Sequence, residues 1–323
     1  MNLNALSQLI YEELIHCSCL GNDQIYFNAL NELRNTLIRH GDPLISMKIS
    51  NTDLTMNLSH QMPWYDAQAP LCGTVLPRVA KTIFQQDKYL KVIDIGANIG
   101  DSVAAISQEV PGAFLCVEGD KHYFSLLQEN VKSMNGRIVC VDAICGDSDR
   151  EAQGYILTEC GTGHFVEAID KETVLITSVK TILEKNTFFK DANLIKVDTD
   201  GFDPYVLRGA REYLADTGPT IFFEFAPVLL QNPFDVFPYL ADLGYRHSLF
   251  YALDYPLEIV DICNQKKLED MVKGLSSHKV DFYDILLPGH TLSHGSFIKF
   301  YKSEVNVTKK ILAGSKVNND EKY

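Results

Sequence analysis

The segment that most constrains the fold is VIDIGANIGD at residues 92–101. Its apolar run predicts a buried strand, and Gly96 and Gly100 predict a sharp turn that leads into a closely packed helix. Such a strand–turn–helix junction is where α/β sheets bind nucleotide-like cofactors. A dinucleotide site would carry glycine at the three fixed positions of G-x-G-x-x-G, and this chain has Gly96, Asn98 and Asp101 there. The larger side chains disfavour a diphosphate, and hence NAD.

Carboxylates at the ends of successive apolar runs favour a cofactor without phosphate. S-adenosylmethionine fits, because its cationic sulfonium and ammonium groups favour the nearby Asp94. The run AFLCVEG brings Glu118 close to the roughly 20-residue offset at which an acidic side chain takes ribose hydroxyls. The run RIVCVDA ends in Asp142, which could accept a hydrogen bond from the adenine amino group. Turns favour polar residues, so each carboxylate alone also has a purely structural explanation. The predicted cofactor residues are Asp94, Gly96, Ala97, Asn98, Gly100, Asp101, Glu118, Gly119, Asp142 and Ala143.

A fourth apolar run carries the most diagnostic sequence. Residues 192–203 read ANLIKVDTDGFD, and a helix is predicted next, with Asp203 as its N-cap and Pro204 in its first turn. A fifth strand, PTIFFEFAP, then contains Glu224.

These segments together resemble the FkbM family of S-adenosylmethionine-dependent methyltransferases. The family pattern is D-x-G-A-N-x-G in the first strand and K-x-D-x-[ED]-G in the fourth, with L-x-G in the following helix. The family more often has Glu before the fourth-strand glycine and again shortly after it, where this chain has Asp200 and Asp203. The matching positions are Asp94, Gly96, Ala97, Asn98, Gly100, Lys196, Asp198, Asp200, Gly201, Leu207 and Gly209.

The resemblance covers residues 91–289 and implies an α/β, Rossmann-like class I methyltransferase fold. This fold has a seven-stranded, mostly parallel sheet. We expect the segments at 245–252, 282–289 and 296–302 to complete it. The resemblance also implies S-adenosylmethionine as cofactor and methylation of a hydroxyl, and it is silent on the acceptor.

Three carboxylates are the candidate catalytic groups. Asp198, Asp200 and Glu224 follow adjacent strands, so their like charges would raise one pKa toward neutrality, or they could hold Mg²⁺ against a sugar diol. Lys196 shares the strand face of Asp198 and could orient a substrate oxygen, although a structural ion pair explains it equally well. His164, predicted to lie in a flexible loop, could act as a general base. A solvated loop histidine is the alternative.

The chain divides into three parts. Residues 1–89 are predicted to form two helices, a hairpin turning at residues 51–53 and a further helix near residues 73–84. This extension could cap the substrate side through His60, Trp64 and Tyr65, or these residues could pack the two parts together. Residues 90–302 are the predicted methyltransferase domain, and residues 303–323, which lack an apolar period, are predicted to be a flexible tail.

Composition excludes some partners. A net charge of −13 and a pI near 5.1 oppose binding to a nucleic-acid backbone. The N-terminal residues have neither a cationic start nor a long apolar core, so we expect a cytoplasmic protein without a membrane span. The sequence does not determine the oligomeric state, and a homodimer is compatible with it.

The function expected from the sequence is O-methylation of a saccharide hydroxyl, as in surface or secreted glycans. Two alternatives stay open. One is a small-molecule natural-product hydroxyl or carboxyl acceptor, and the other is a catalytically inactive module that only binds S-adenosylmethionine.

Overall fold

The N-terminal residues form a layer of helices and one hairpin. The computed structural model describes residues 2–20, 23–69, 71–276, 282–290 and 292–320, with side chains for all of these except 275–276 and 314–320. The two central hairpin residues, Ser50 and Asn51, have φ values of 46° and 64°, as a two-residue turn requires, so the hairpin turns just before the predicted position. The elements of this layer are α1 (Leu3–Leu20), α2 (Gln24–Arg39), β1 (Leu44–Ile49), β2 (Thr52–Asn57), α3 (Met62–Gln68) and α4 (Val75–Asp87).

The body of the described chain is an eight-stranded sheet that is mostly parallel. Two strands, β13 and β14, run antiparallel to their neighbours. In spatial order the strands are β13 (Tyr255–Asp261), β12 (His247–Ala252), β14 (Tyr283–Leu287), β11 (Thr220–Phe225), β10 (Leu194–Val197), β3 (Lys91–Ile95), β4 (Ala113–Glu118) and β5 (Arg137–Asp142).

Helices cover both faces of this sheet. One face packs on α4, α5, α6 and α12, and the other on α7 to α11. The remaining helices are α5 (Asp101–Glu109), α6 (Lys121–Asn130), α7 (Val179–Lys185), α8 (Asp203–Gly209), α9 (Arg211–Thr217), α10 (Val236–Asp242), α11 (Gln265–Ser276) and α12 (His294–Asp320). Short 3-10 helices lie at Val131–Ser133, Thr187–Phe189, Pro227–Leu229 and Pro233–Asp235.

A smaller sheet is inserted between β5 and β10. It contains a hairpin, in which β7 pairs with β8, and a short strand, β9, that leads into α7. Its spatial order is β6 (Ile144–Gly146), β9 (Thr173–Ser178), β7 (Arg150–Glu159) and β8 (Thr162–Glu167).

The predicted Rossmann-like α/β fold is confirmed, with one strand more than expected. The extra strand is β13, which returns beside β12 through a tight turn at Leu253 and Asp254, both with positive φ. The strand expected at residues 296–302 is instead part of α12. Within the described ranges, no helix is both long and apolar enough to cross a membrane.

The prediction of a flexible tail from residue 303 is wrong, because α12 continues through Asp320. Its buried stripe runs from Phe297 and Phe300 to Glu304 and Thr308. The polar residues Glu304 and Thr308 interrupt the apolar period of this stripe, so the sequence pattern does not predict the helix. Glu304 is 1% exposed and receives two hydrogen bonds from Arg78 of α4, at 2.6 and 2.8 Å.

The pair formed by Arg78 and Glu304 predicts a measurable stability effect. Glu304→Gln leaves the Arg78 guanidinium without its charged partner, so we expect the free energy of unfolding to fall by about 2–3 kcal/mol. Urea unfolding followed by circular dichroism measures this change. The matched control is Glu109→Gln, which breaks an exposed pair with Lys81 and is expected to cost less than about 1 kcal/mol. Equal, small changes in both variants would show that α12 is not docked through Glu304.

Candidate active site

A cavity of about 190 Å³ lies where the strand order of the large sheet reverses. The chain passes from β3 to β4 on one side and reaches β10 on the other side of β3. Ligands of open α/β sheets bind in the crevice beyond the carboxyl ends of the strands at such a switch point. We call this space the first cavity. Its walls come from the turn after β3, the ends of β4 and β10, the β7–β8 hairpin and the start of α3.

The turn after β3 brings its backbone against the end of β10. Gly96 has a φ of 75°, and a Cβ there would lie 1.8 Å from the backbone oxygen of Asp198. No residue with a side chain fits this position. Gly100 also has a positive φ, and a Cβ there would lie 3.1 Å from Leu127, so it allows α5 to start against α6. The sharp turn and close packing predicted for these two glycines are present.

Lys196 lies at the centre of a buried ion-pair network beneath this turn. Its Nζ lies 3.1 Å from Asp94 Oδ1 and 3.4 Å from Asp198 Oδ2, and it donates a hydrogen bond to the Gly96 oxygen at 2.8 Å. Burial alone would lower the pKa of Lys196, but Asp94 and Asp198 raise it above its ordinary value. Burial raises the pKa of Asp94 to about 6, against the effect of Lys196. Lys196 therefore contacts both the backbone oxygen of Gly96 in the glycine turn and the carboxylate of Asp198.

Glu118 is held rigidly at the end of β4. Its Oε2 accepts a hydrogen bond from the Asn98 backbone N–H and its Oε1 accepts one from the Asp120 backbone N–H, both at 2.8 Å. Burial raises the pKa of Glu118, and these two N–H groups oppose that shift. Each carboxylate oxygen keeps a free lone pair, so the group can still accept hydrogen bonds from a ligand diol.

The N-terminal layer and the β7–β8 hairpin meet above the glycine turn. Asn98 Nδ2 donates to the Gly161 oxygen at 2.7 Å, and His60 Nε2 lies 3.4 Å from Asn98 Oδ1. The Gln61 backbone N–H donates to the Cys160 oxygen at 3.1 Å. A Cβ on Gly161 would lie 2.7 Å from the His60 ring, so glycine permits this closure.

A second cavity of about 150 Å³ adjoins the first. The two share Met62, Asp101, Lys196 and Asp198 as lining residues. The side chain of Asp198 is 48% exposed, so its carboxylate is open to a ligand in either space. Asp198 thus lies at the junction of the two cavities.

Three other carboxylates surround Asp198. Burial raises the pKa of Asp200 to about 6, with a further rise from Asp198. Burial raises the pKa of Glu224 to about 10, again with Asp198 as the strongest neighbouring charge. Asp203 of α8 is fully buried, and its pKa rises to about 7. Glu224 is therefore protonated near neutral pH, and Asp198 is the most exposed of these four carboxyl groups.

The predicted magnesium site is not assembled. In the part of the chain that the structure describes, no group of three His, Cys, Asp or Glu side chains could hold a metal ion. Asp198, Asp200 and Glu224 follow neighbouring strands, as expected, but do not converge on one point.

Several predicted residues lie elsewhere than expected. Asp142 is exposed, pairs with Lys121 of α6 and does not line the first cavity. Asp94 is buried beneath the turn as the partner of Lys196, together with Ala97, rather than facing a ligand. His164 lies in β8, not in a loop, and is outside both cavities.

Most of the remaining predicted residues line the first cavity, but Gly100 and Glu224 do not. Sequence reasoning missed the apolar wall formed by the hairpin and by helix residues, including Tyr123, Ile156, Phe165 and Phe202. Of the three aromatic residues suggested for the extension, His60 and Tyr65 line the cavity, whereas Trp64 packs on Phe27. The predicted residues that do line it are Gly96, Asn98, Asp101, Glu118, Gly119, Ala143, Lys196, Asp198 and Asp200.

Residues 94–247 match the family described as the methyltransferase FkbM domain. The match begins at Asp94 in β3 and ends at the start of β12, so it includes the glycine turn, Glu118 and the end of β10. The chain carries an FkbM methyltransferase domain. A comparison with curated proteins gives no match.

Solved structures similar to this chain include two methyltransferases and the protein TYW2. The methyltransferase FkbM from Methylobacillus flagellatus is 17% identical, with 48% of this chain and 37% of that chain covered and a TM-score of 0.34. The tRNA (uracil-54, C5)-methyltransferase of Pyrococcus abyssi is 10% identical over 76% of this chain and 43% of that one, with a TM-score of 0.38. TYW2 of M. jannaschii is 11% identical, with 76% of this chain and 84% of that chain covered and a TM-score of 0.40. The chain thus spans less than half the length of the first two proteins.

Proposed function

We propose that this protein is an S-adenosylmethionine-dependent O-methyltransferase that methylates a hydroxyl of a saccharide. The observation that carries the proposal is the position of Asp198 at the junction of two adjoining cavities, next to the glycine turn of the FkbM domain. One cavity would hold the methyl donor and the other the acceptor, with Asp198 between them.

The first cavity suits S-adenosylmethionine, a cofactor without phosphate. Glu118 offers a lone pair on each oxygen to the two ribose hydroxyls, and Asn98 fills the position where a diphosphate would need glycine. Ala143 and Phe202 form an apolar part of the cavity wall, against which a flat base could pack. Asp101 supplies negative charge toward the sulfonium and ammonium groups.

When bound, S-adenosylmethionine supplies a methyl group already activated on a cationic sulfur. The protein's main task is then to align an acceptor oxygen with that methyl group, and such positioning contributes roughly 7–11 kcal/mol. Asp198 would accept the proton of the acceptor hydroxyl when that oxygen receives the methyl group. Lys196 holds the Asp198 carboxylate in place from 3.4 Å.

Transfer of a labelled methyl group tests this function. The protein is incubated with S-adenosylmethionine bearing a deuterated methyl group and with neutral glycosides and oligosaccharides as acceptors. We expect one sugar product to gain the mass of one deuterated methyl group on oxygen. Binding of the cofactor without transfer to any hydroxyl acceptor would contradict the proposal and favour an inactive module.

A further inference from the structure

The second cavity has walls of two kinds, and both are informative about the acceptor. One wall is apolar and comes from Met62 and Leu76 of the N-terminal layer and Phe222 of β11. The other wall carries the carboxylates of Asp101, Asp198, Asp254 and Asp284. The N-terminal extension thus builds part of the cavity instead of only covering the sheet.

The charge of this cavity is not balanced. Lys196 is its one cationic lining residue among those the structure describes, and it is already engaged by Asp94 and Asp198. Burial raises the pKa of Asp254 to about 6, and burial together with Asp254 and Asp198 raises the pKa of Asp284 well above its usual range. The burial and the acidic neighbours that disfavour charge on these two groups would also disfavour a further anion placed here.

A buried carboxyl oxygen without a hydrogen-bond partner lies beside the same wall. Glu224 pairs directly with Asp284 across β11 and β14, so the two side chains share a face of the sheet. Glu224 Oε2 is buried and has no hydrogen-bond partner in the described structure. Buried polar atoms are normally paired, so the carboxyl group of Glu224 keeps an unused hydrogen-bonding position next to this wall.

We propose that the second cavity is the acceptor site and that it selects an uncharged saccharide unit over an anionic one. This inference rests on the proposed function and deepens it. Sugar hydroxyls donate hydrogen bonds that carboxylates accept, and the C–H face of a sugar ring packs on Phe222 and Leu76. A uronate carboxylate or a sugar phosphate would face Asp254 and Asp284 without a cation to pair with.

Matched acceptor pairs test the inference. Methyl glycosides of glucose, galactose and mannose are compared with the corresponding uronates, at a pH well above the pKa of Asp254. We expect at least one neutral glycoside to be methylated, with kcat/KM at least about tenfold above its uronate. Equal use of both members of a pair, or use of the uronates alone, would overturn the inference.

A charge-neutral variant links the selectivity to this cavity. Asp254→Asn is expected to reduce the preference for the neutral glycoside at least about threefold, chiefly through KM for the uronate. The affinity for S-adenosylhomocysteine should stay unchanged. Asp261→Asn, the same change on an exposed residue outside the cavity, should leave the preference as it was.

The outcomes separate this inference from the proposed function. Failure of S-adenosylhomocysteine to bind would defeat the proposed function itself. Methylation of the uronates together with no methylation of any neutral glycoside, or an unchanged preference in Asp254→Asn, would defeat only the acceptor inference.

Discussion

Replacing Asp198 by Asn is expected to reduce turnover by a factor on the order of 10²–10⁴, the usual contribution of a positioned acid or base. The amide keeps the shape of the side chain but cannot take a hydroxyl proton. The affinity for S-adenosylhomocysteine should change little, because Glu118, at the end of β4, is the residue expected to hold the ribose. Turnover is measured by release of S-adenosylhomocysteine, and affinity by calorimetry.

A second lysine-paired aspartate provides the control for Asp198→Asn. Asp191 lies before β10, at the other end of the sheet, and pairs with Lys91 at 2.6 Å. Asp191→Asn removes the same charge and should leave turnover within about twofold. If Asp198→Asn instead fails to fold, or loses cofactor binding while turnover per bound complex is intact, Asp198 is a structural or cofactor-facing residue.

Glu118→Ala is expected to weaken binding of S-adenosylhomocysteine by a factor of about 10² or more. Charge-assisted hydrogen bonds contribute roughly 1.5–3 kcal/mol each, and the variant loses the hydrogen bonds from both ribose hydroxyls to the Glu118 carboxylate. It also releases the backbone N–H groups of Asn98 and Asp120 that Glu118 holds. Isothermal titration calorimetry on the folded variant measures the effect.

Asp142 is the matched control for Glu118 because β4 and β5 pair these two residues directly. Asp142→Ala should leave the affinity within about twofold, since the side chain faces solvent and pairs with Lys121. A large loss in Asp142→Ala, or no loss in Glu118→Ala, would contradict the placement of the ribose at Glu118.

The sequence predicts the parts of the site that depend on local pattern. The turn at Gly96, the carboxylate at Glu118 and the segment from Lys196 to Asp200 follow strands whose apolar runs are unmistakable. In a parallel sheet these strand ends meet at one edge, so their approach follows from topology. The cofactor choice itself follows from Asn98 and Asp101, where a dinucleotide site needs glycine.

Features that depend on long-range contacts could not be predicted in this way. The side chain of Asp142 turns to Lys121, a partner on a helix whose orientation the pattern does not determine. Glu304 interrupts the apolar period of α12, and only its pairing with Arg78, 226 residues away, makes its burial favourable. The second cavity likewise joins Met62, Asp254 and Asp284 from distant parts of the chain.

Titration calorimetry with S-adenosylhomocysteine and with NAD tests the central claim most directly, because the claim is that the cavity at the glycine turn holds a phosphate-free methyl donor. We predict that S-adenosylhomocysteine binds with one molecule per chain and that NAD binds at least about tenfold more weakly, since no second glycine makes room for its diphosphate. Tighter binding of NAD than of S-adenosylhomocysteine would contradict the account.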